Sequence, residues 1–315
     1  MTGAKKGRSV MQGSGKSKRK SNRKRKIHRK ERGSGSAGRL LVYTLLFLLA
    51  AVIFFPIVFA VGGAFMQQWE LKEYLGPVLG GAQGMASWSL VPKAPTLQPL
   101  VEVLIDSPQF FVMFWNSMRI SVFILIGQIV FGVPAAWGLA RFSFPGKRLL
   151  LMLYIVLMLM PFQVLMLPEY LVLDDLCLLD THWAVILPAV FSTFPVFIMY
   201  RFFCGIPEAV LEAARIDGAG NLQIFLRIGI PLGAAGIVSA SILGFLESWN
   251  MIEQPMTFLK TKALWPLSLY LPEIGLEEAG AGFAAALLML IPALLLFLSG
   301  QEYLEQGITA AAVKE

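Results

Sequence analysis

The chain has few of the residues that build metal sites and covalent cross-links. Its 315 residues include two cysteines, Cys177 and Cys204, and two histidines, His28 and His182. Two histidines are too few for a plausible zinc cluster. The membrane topology argued below puts the two cysteines on opposite sides of a bilayer, so that no disulfide can join them. We therefore expect neither a metal centre nor a disulfide in this chain.

Charged residues are also scarce. They make up 15% of the chain, whereas 56% of the residues are hydrophobic, and both values depart from the roughly 25% and 45–50% of soluble domains. A helix needs about 20 apolar residues to cross a bilayer. Six uncharged runs reach or approach that length: residues 40–69, 120–140, 149–168, 183–200, 228–246 and 279–300. Because lipid satisfies no backbone hydrogen bonds, these runs must be helices and not strands. The predicted fold class is an all-α integral membrane protein with six transmembrane helices.

The charges that are present are unevenly distributed. Residues 1–39 carry fifteen Lys and Arg against one acid, Glu31, whereas the remainder has twelve basic and nineteen acidic residues. Basic residues next to a span favour the cytoplasmic side and attract anionic lipid headgroups. The tail has no interleaved aromatic residues, so we expect no specific nucleic-acid binding. The predicted organisation is a disordered basic cytoplasmic tail (1–39), a first transmembrane helix with an extracytoplasmic segment (40–110), and a transmembrane core (111–315).

The remaining charges agree with this orientation. If the N-terminus is cytoplasmic, Arg141, Lys147 and Arg148 fall in an inside loop, and so does the segment from Arg201 to Arg227. Most of the connectors assigned to the outside are acidic, as the positive-inside rule predicts. We therefore predict a multi-pass protein of the bacterial plasma (inner) membrane with both termini in the cytoplasm.

The cytoplasmic segment between the fourth and fifth spans has an ordered pattern of its own. Proline at position 207 and Glu208 are typical of a helix start, and Ala213 and Ala214 keep that helix slim. Gly218 supplies a positive-φ stop, and Asn221 can cap the next helix. The pattern predicts a short helix, a tight turn and a second helix leading to Pro231. The alternative interpretation is an ordinary amphipathic connector at the membrane surface.

A resemblance to a known family rests on this segment. It contains Glu212-Ala213-Ala214, Asp217-Gly218-Ala219, Phe225, Ile228 and Pro231. This spacing resembles the EAA loop of binding-protein-dependent ABC importer permeases. Further similar stretches lie at 115–117, 140–146, 160–161, 179–184 and 247–250. The resemblance covers about residues 111–300 and is greatest to the sugar-importer branch, in its maltose-permease-like second membrane subunit.

The resemblance implies a fold, partners and site residues. The fold is that of an ABC importer type I permease, with a cytoplasmic coupling-helix loop between helices 4 and 5. The partners are a second homologous permease in a heterodimer, cytoplasmic ABC ATPase subunits and an extracytoplasmic solute-binding protein. The residues implied in ATPase coupling are Glu212, Ala213, Ala214, Asp217, Gly218, Ala219, Phe225 and Pro231. The chain would not be an enzyme and would bind no cofactor, because ATP is used by the partner ATPase.

The last part of the prediction is the solute pathway. We expect it to include Gln128, Glu247, Trp249, Asn250 and Glu253. Tryptophan and asparagine can stack on and hydrogen-bond a sugar, although an interfacial tryptophan and a snorkelling Glu247 are alternatives. The predicted cargo is a carbohydrate; alternatives are a non-sugar polar solute, such as a peptide or osmolyte, or a stand-alone secondary transporter. A secondary transporter would need carboxylates near the membrane midplane, which the sequence does not indicate.

Small residues recur at four-residue spacing in the fifth span. Gly236, Ala240 and Gly244 form a stripe that allows close approach of another helix. Packing within the chain and dimerisation with a partner permease are both compatible with this stripe.

Overall fold

The computed structural model describes the backbone of residues 14–79, 85, 89–270 and 275–312. Every regular element in these residues is a helix. The chain divides into two compact units, Met1–Phe59 and Ala60–Glu315. Helix α1 (Ser14–Ala64) makes up the described part of the first unit and ends in the second. The apolar side chains of residues 40–58 are largely exposed, as expected for a helix surrounded by lipid.

Helix α1 includes part of the basic tail, whose predicted disorder stays a prediction. Helix α1 already begins at Ser14, whereas residues 1–13 lie outside the described residues. Lysine and arginine are good helix formers, and extending an existing helix avoids the cost of nucleation. The apolar part of α1 can therefore propagate its helix backwards into the basic segment.

The second unit contains the other helices. The segment before the core has α2 (Gln68–Leu79), α3 (Gln98–Val101) and a π-helical turn, Glu102–Asp106. The core helices that follow are α4 (Pro108–Gly127), α5 (Val133–Arg141), α6 (Lys147–Leu159), α7 (Phe162–Asp175), α8 (His182–Val190), α9 (Thr193–Gly205), α10 (Glu208–Ile216), α11 (Asn221–Ile224), α12 (Ile230–Leu232), α13 (Ala234–Trp249), α14 (Glu253–Phe258) and α15 (Ala279–Ala312). Two π-helical turns, Gln128–Gly132 and Phe225–Gly229, join α4 to α5 and α11 to α12. Short 3₁₀ turns are Lys262–Leu264, Leu267–Leu269 and Leu276–Glu278.

Four helical stretches are long and apolar enough to cross a membrane. They are Gly38–Ala64, Pro108–Arg141, His182–Gly205 and Leu276–Leu304. Two further stretches qualify only as bent pairs, α6 with α7 at 106° and α11–α12 with α13 at 68°. The described residues therefore contain four candidate spans, or six if each bent pair is one span.

Both bends lie in the runs predicted as the third and fifth spans. Met160 has an extended backbone, with φ −76° and ψ 127°, and it ends α6 immediately before Pro161. A residue before proline is disfavoured in the helical region, so the run 149–168 breaks at this point. In the run 228–246 the bend falls at Gly233, two residues after Pro231.

The small-residue stripe of α13 is used for packing inside this chain. Helix α13 packs against α4, α9 and α15. A side chain at Gly236 would meet the ring of Phe202 on α9, and one at Gly244 would meet Oε1 of Gln128. Ala240, between them, is fully buried. Close approach of helices within the chain accounts for all three small residues.

Gly236→Ala should therefore destabilise the helical core. The added methyl would lie 2.5 Å from Cβ of Phe202, so α9 and α13 would have to separate. Overpacking of this kind costs about 1–3 kcal/mol. We expect the detergent-solubilised variant to lose its monodisperse size-exclusion peak at a lower temperature than the parent. Gly138→Ala is the matched control, because open space surrounds that helical glycine; equal melting of the two variants would contradict the packing role.

Candidate functional site

The segment between α9 and α13 forms the predicted helix, turn and second helix. Helix α10 ends as the Asp217 amide donates to the carbonyl of Ala213 at 3.0 Å and the Ala219 amide donates to that of Ala214 at 3.0 Å. Gly218 between them has φ +83°, which a residue with a side chain rarely adopts. The side chain of Gln223 accepts from the Gly220 amide at 3.1 Å and so caps the start of α11.

The predicted coupling residues fall into two groups. Glu212, Ala213, Asp217, Gly218 and Pro231 are exposed. The other three coupling residues take part in packing: Ala214 is buried, and Ala219 and Phe225 are partly buried against the same cluster.

Exposed apolar side chains lie beside the exposed coupling residues. Ile216, at the end of α10, is 86% exposed, and Leu222, in α11, is 69% exposed. Opposite them, Leu211 and Ile224 are buried, which holds α10 and α11 against the helical core. We call the exposed residues Glu212, Ala213, Ile216, Asp217 and Leu222 the coupling surface.

Arg141, the last residue of α5, joins this segment to the membrane helices. Its side chain is only 10% exposed. Nη2 donates to the carbonyls of Phe203 at 2.5 Å and Ile206 at 2.7 Å, and Nη1 donates to Glu208 at 3.2 Å. The last carbonyls of a helix have no partner within the helix, and a guanidinium can satisfy several acceptors at once. One side chain therefore ties the ends of α5 and α9 to the start of α10.

Two further contacts support this position of Arg141. Its guanidinium lies 5.5 Å from the centre of the Trp137 ring, and Trp137 packs edge-to-face on Phe203. Glu208 also accepts from Arg215 at 3.0 Å, so the carboxylate bridges two arginines. The sequence indicated a cytoplasmic charge at Arg141 and a family-like stretch around it, but not these contacts, whose partners lie more than sixty residues away.

Arg141→Lys should loosen the start of α10. A lysine ammonium cannot bond both carbonyls and the carboxylate in the fixed fork of arginine. Hydrogen bonds to charged groups contribute about 1.5–3 kcal/mol each, so at least one loss of that size is expected. Amide hydrogen exchange of residues 208–216 should accelerate. Arg148→Lys, an exposed arginine of α6, is the control; equal exchange in both variants would contradict the anchoring role of Arg141.

A second candidate site is a cavity of about 380 Å³ between the core helices. Polar and charged side chains enter it from α7, α9, α13, α14 and the π turn after α4. These side chains are Gln128, Glu169, Ser192, Thr193, Glu247, Ser248 and Gln254. The other walls are mostly apolar side chains, which suits a site for a small polar solute.

Only two of the five predicted pathway residues line this cavity, Gln128 and Glu247. Trp249 is 2% exposed, stacks on Phe245 and donates its indole hydrogen to the carbonyl of Met289 at 3.1 Å. Asn250 donates to the carbonyl of Leu246 one turn earlier, and Glu253 accepts from Gln163 at 2.7 Å. The structure therefore places Trp249 in the core and does not bring Asn250 or Glu253 to the cavity.

Gln128 is held in an unusual setting. It is 4% exposed, and its amide nitrogen donates to the carbonyl of Ala189 at 3.0 Å. Its Oε1 has no hydrogen-bond partner among the described residues and faces Gly244, which also lines the cavity. A buried acceptor without a partner costs free energy, so this oxygen is available to a donor.

Glu169 is the main cavity residue that sequence analysis missed. It was assigned to an outer connector because it follows the apolar run 149–168. The break before Pro161 instead places it within α7, the second helix of a bent pair. A carboxylate directly after a proline-broken apolar run is the signal that could have identified it.

The cavity wall formed by α14 is anchored from the loop before α8. The carboxylate of Asp180 accepts hydrogen bonds from the Thr261 hydroxyl at 2.7 Å and from the amides of Thr261 and Lys260 at 2.8 Å. These bonds, with the Thr261 hydroxyl contributing most, hold the pKa of the Asp180 carboxyl below its ordinary value.

The described residues thus define a multi-pass α-helical membrane protein with a polar cavity between its helices. An exposed helix–turn–helix, formed by α10 and α11, lies between α9 and α13. The chain belongs to the family of binding-protein-dependent transport system inner membrane components, whose family model matches residues 128–310. This confirms the resemblance to ABC importer permeases. It is a family of transport permeases and not of enzymes.

Three comparisons illustrate the similarity. The arabinooligosaccharides transport system permease protein AraQ of Halalkalibacterium halodurans is 30% identical over 227 residues, which cover 71% of this chain and 81% of AraQ. The sn-glycerol-3-phosphate transport system permease protein UgpE of Salmonella choleraesuis is 28% identical, with 84% and 94% covered. A bacterial ABC transporter that imports the acidic polysaccharide alginate has a chain with a TM-score of 0.72, 22% identity, and 86% and 97% coverage. At that identity the solved structure supports the fold alone.

Proposed function

We propose that this chain is a transmembrane permease subunit of an ABC importer, that it forms a pathway for a carbohydrate with a partner permease, and that a cytoplasmic ATPase drives it through the EAA loop. The observation that carries the proposal is the coupling surface, an exposed apolar and acidic face held to the core by Arg141. Family membership and relatives named for arabinooligosaccharide transport support the cargo class.

The finer topology belongs to the same proposal. Each bent pair counts as one span, which makes six, and the coupling segment is the cytoplasmic loop between the fourth and fifth. Both termini are cytoplasmic. Residues 111–315 form the permease core, which follows the basic tail (1–39) and the first transmembrane helix with the extracytoplasmic segment (40–110) in the sequence. An extracytoplasmic binding protein delivers the solute, and ATP is bound and hydrolysed by the ATPase and not by this chain.

Two helical routes connect the coupling surface to the cavity. Helix α9 begins at the cavity with Thr193, directly after Ser192, and its last carbonyls contact Arg141. Helix α9 is thirteen residues long, and the route from Gln128 to Arg141 along the π turn and α5 is fourteen residues. At 1.5 Å per residue each route is about 20 Å long. When the ATPase moves α10, both routes move with it, and the cavity walls change their separation.

The polar groups of the cavity suit a carbohydrate. Three hydroxyls, two side-chain amides and two carboxylates can exchange hydrogen bonds with sugar hydroxyls, and the apolar walls can pack against sugar rings. Carboxylates in a cavity would also fit a secondary transporter. We favour the importer because the chain belongs to an importer family and carries an exposed coupling surface.

Ile216→Asp should weaken association with the cognate ATPase. A carboxylate at the centre of an apolar contact costs more than the roughly 1.4 kcal/mol that corresponds to a tenfold change in affinity. We expect at least a tenfold lower yield of ATPase per permease in co-purification from detergent. Ile105→Asp is the matched control, since Ile105 is 73% exposed and lies in the segment proposed to be outside. ATPase recovery at the parent level with Ile216→Asp would argue against docking at this surface.

A further inference from the structure

The charges of the cavity all have one sign. Among the described residues, its lining includes Glu169 and Glu247 but no lysine, arginine or histidine. Neither carboxylate has an ion-pair partner in the part of the chain that the structure describes. An unpaired carboxylate in a membrane segment is costly and is retained where it faces a water-filled cavity or a substrate.

Hydrogen-bond acceptors without a partner are a second feature of the cavity. The carboxylates accept only, and Oε1 of the buried Gln128 is an acceptor with no partner among the described residues. One hydrogen of the Gln128 amide nitrogen is donated to the carbonyl of Ala189. A solute that satisfies these groups must present hydrogen-bond donors, such as hydroxyl or ammonium groups.

We propose that this cavity excludes anions and accepts a saccharide without carboxylate or phosphate groups, either uncharged or bearing an amine. The solute donates hydrogens to Glu169, Glu247 and Gln128. The inference rests on the proposed function and names its cargo class more narrowly. It sets this chain apart from the relatives named for sn-glycerol-3-phosphate and alginate transport.

The physical basis is the field of two like charges between walls of low dielectric constant. Such clefts change the local concentration of ions by about 10- to 1000-fold, in favour of the opposite sign. An anionic sugar would meet this field and would find no cation in the described lining to neutralise it.

Charged thiol reagents test this inference without knowledge of the solute. In the complete importer, Cys177→Ser and Cys204→Ser remove the native thiols, and Ser192→Cys places one thiol at the cavity. The probes are trimethylammonioethyl methanethiosulfonate, a cation, and sulfonatoethyl methanethiosulfonate, an anion. The measured quantity is the modification rate with the cation divided by the modification rate with the anion. This ratio is divided by the same ratio for free mercaptoethanol, which cancels the intrinsic reactivities of the two reagents. Any effect of the site on the thiol itself changes both rates equally and also cancels.

We expect a normalised cation-to-anion ratio of at least about ten. Glu169→Gln and Glu247→Gln should each lower it about threefold, and the double substitution should bring it close to one. Glu278→Gln, which neutralises an exposed carboxylate outside the cavity lining, is the control and should leave the ratio unchanged.

Two results would overturn the inference in different ways. If both reagents modify Ser192→Cys at a normalised ratio near one, the cavity is accessible and anion exclusion is wrong, while the proposed pathway stands. If neither reagent reacts, with or without ATP, the cavity is not reached from water. The proposed pathway then fails, together with the cargo class.

Discussion

The fold depends on how the end of α9 is satisfied. A helix that ends at the membrane surface leaves carbonyls without partners. Arg141, at the end of a different helix, donates to the carbonyl of Ile206 and to Glu208, and also to the carbonyl of Phe203, which accepts the Ile206 amide as well. Because the guanidinium is nearly buried, removing it would leave acceptors unsatisfied, and water could replace it only in part. The start of α10 is consequently fixed to the ends of α5 and α9 at one point, so that α10 cannot move without these two helices.

Broken helices create the cavity. Apolar runs that crossed the membrane as straight rods would bury few polar groups. The break at Met160–Pro161 turns α7 away from α6 by 106° and carries Glu169 to the wall that Glu247 shares from α13. The π turn that begins at Gln128 rotates that side chain toward α13, where Gly244 leaves room for its oxygen. Proline, a π turn and a glycine together open a polar space between helices that are otherwise apolar.

Local patterns predicted much of this structure. The apolar runs, the short helix after residue 207 and the left-handed Gly218 each depend on residues close in sequence. The cavity was poorly predicted because its lining comes from separate helices brought together by tertiary packing. Trp249 shows the difficulty: its sequence setting fits a solute contact, but Phe245, Phe114 and the carbonyl of Met289 enclose it. Arg141 was underestimated for the same reason, since its partners are distant in sequence.

The same packing determines how energy can reach the solute. A secondary carrier couples transport to its own carboxylates, so they must lie where protons or ions exchange. In this chain the carboxylates of the cavity have no basic partner in the described lining. In the proposed function the mechanical link instead runs along α9 and α5, from Arg141 to Thr193 and Gln128. Rigid helices of about 20 Å transmit displacement with little loss, because their hydrogen bonds are internal. The carboxylates are then free to serve selectivity, and the driving force can come from a surface at the other end of the same helices.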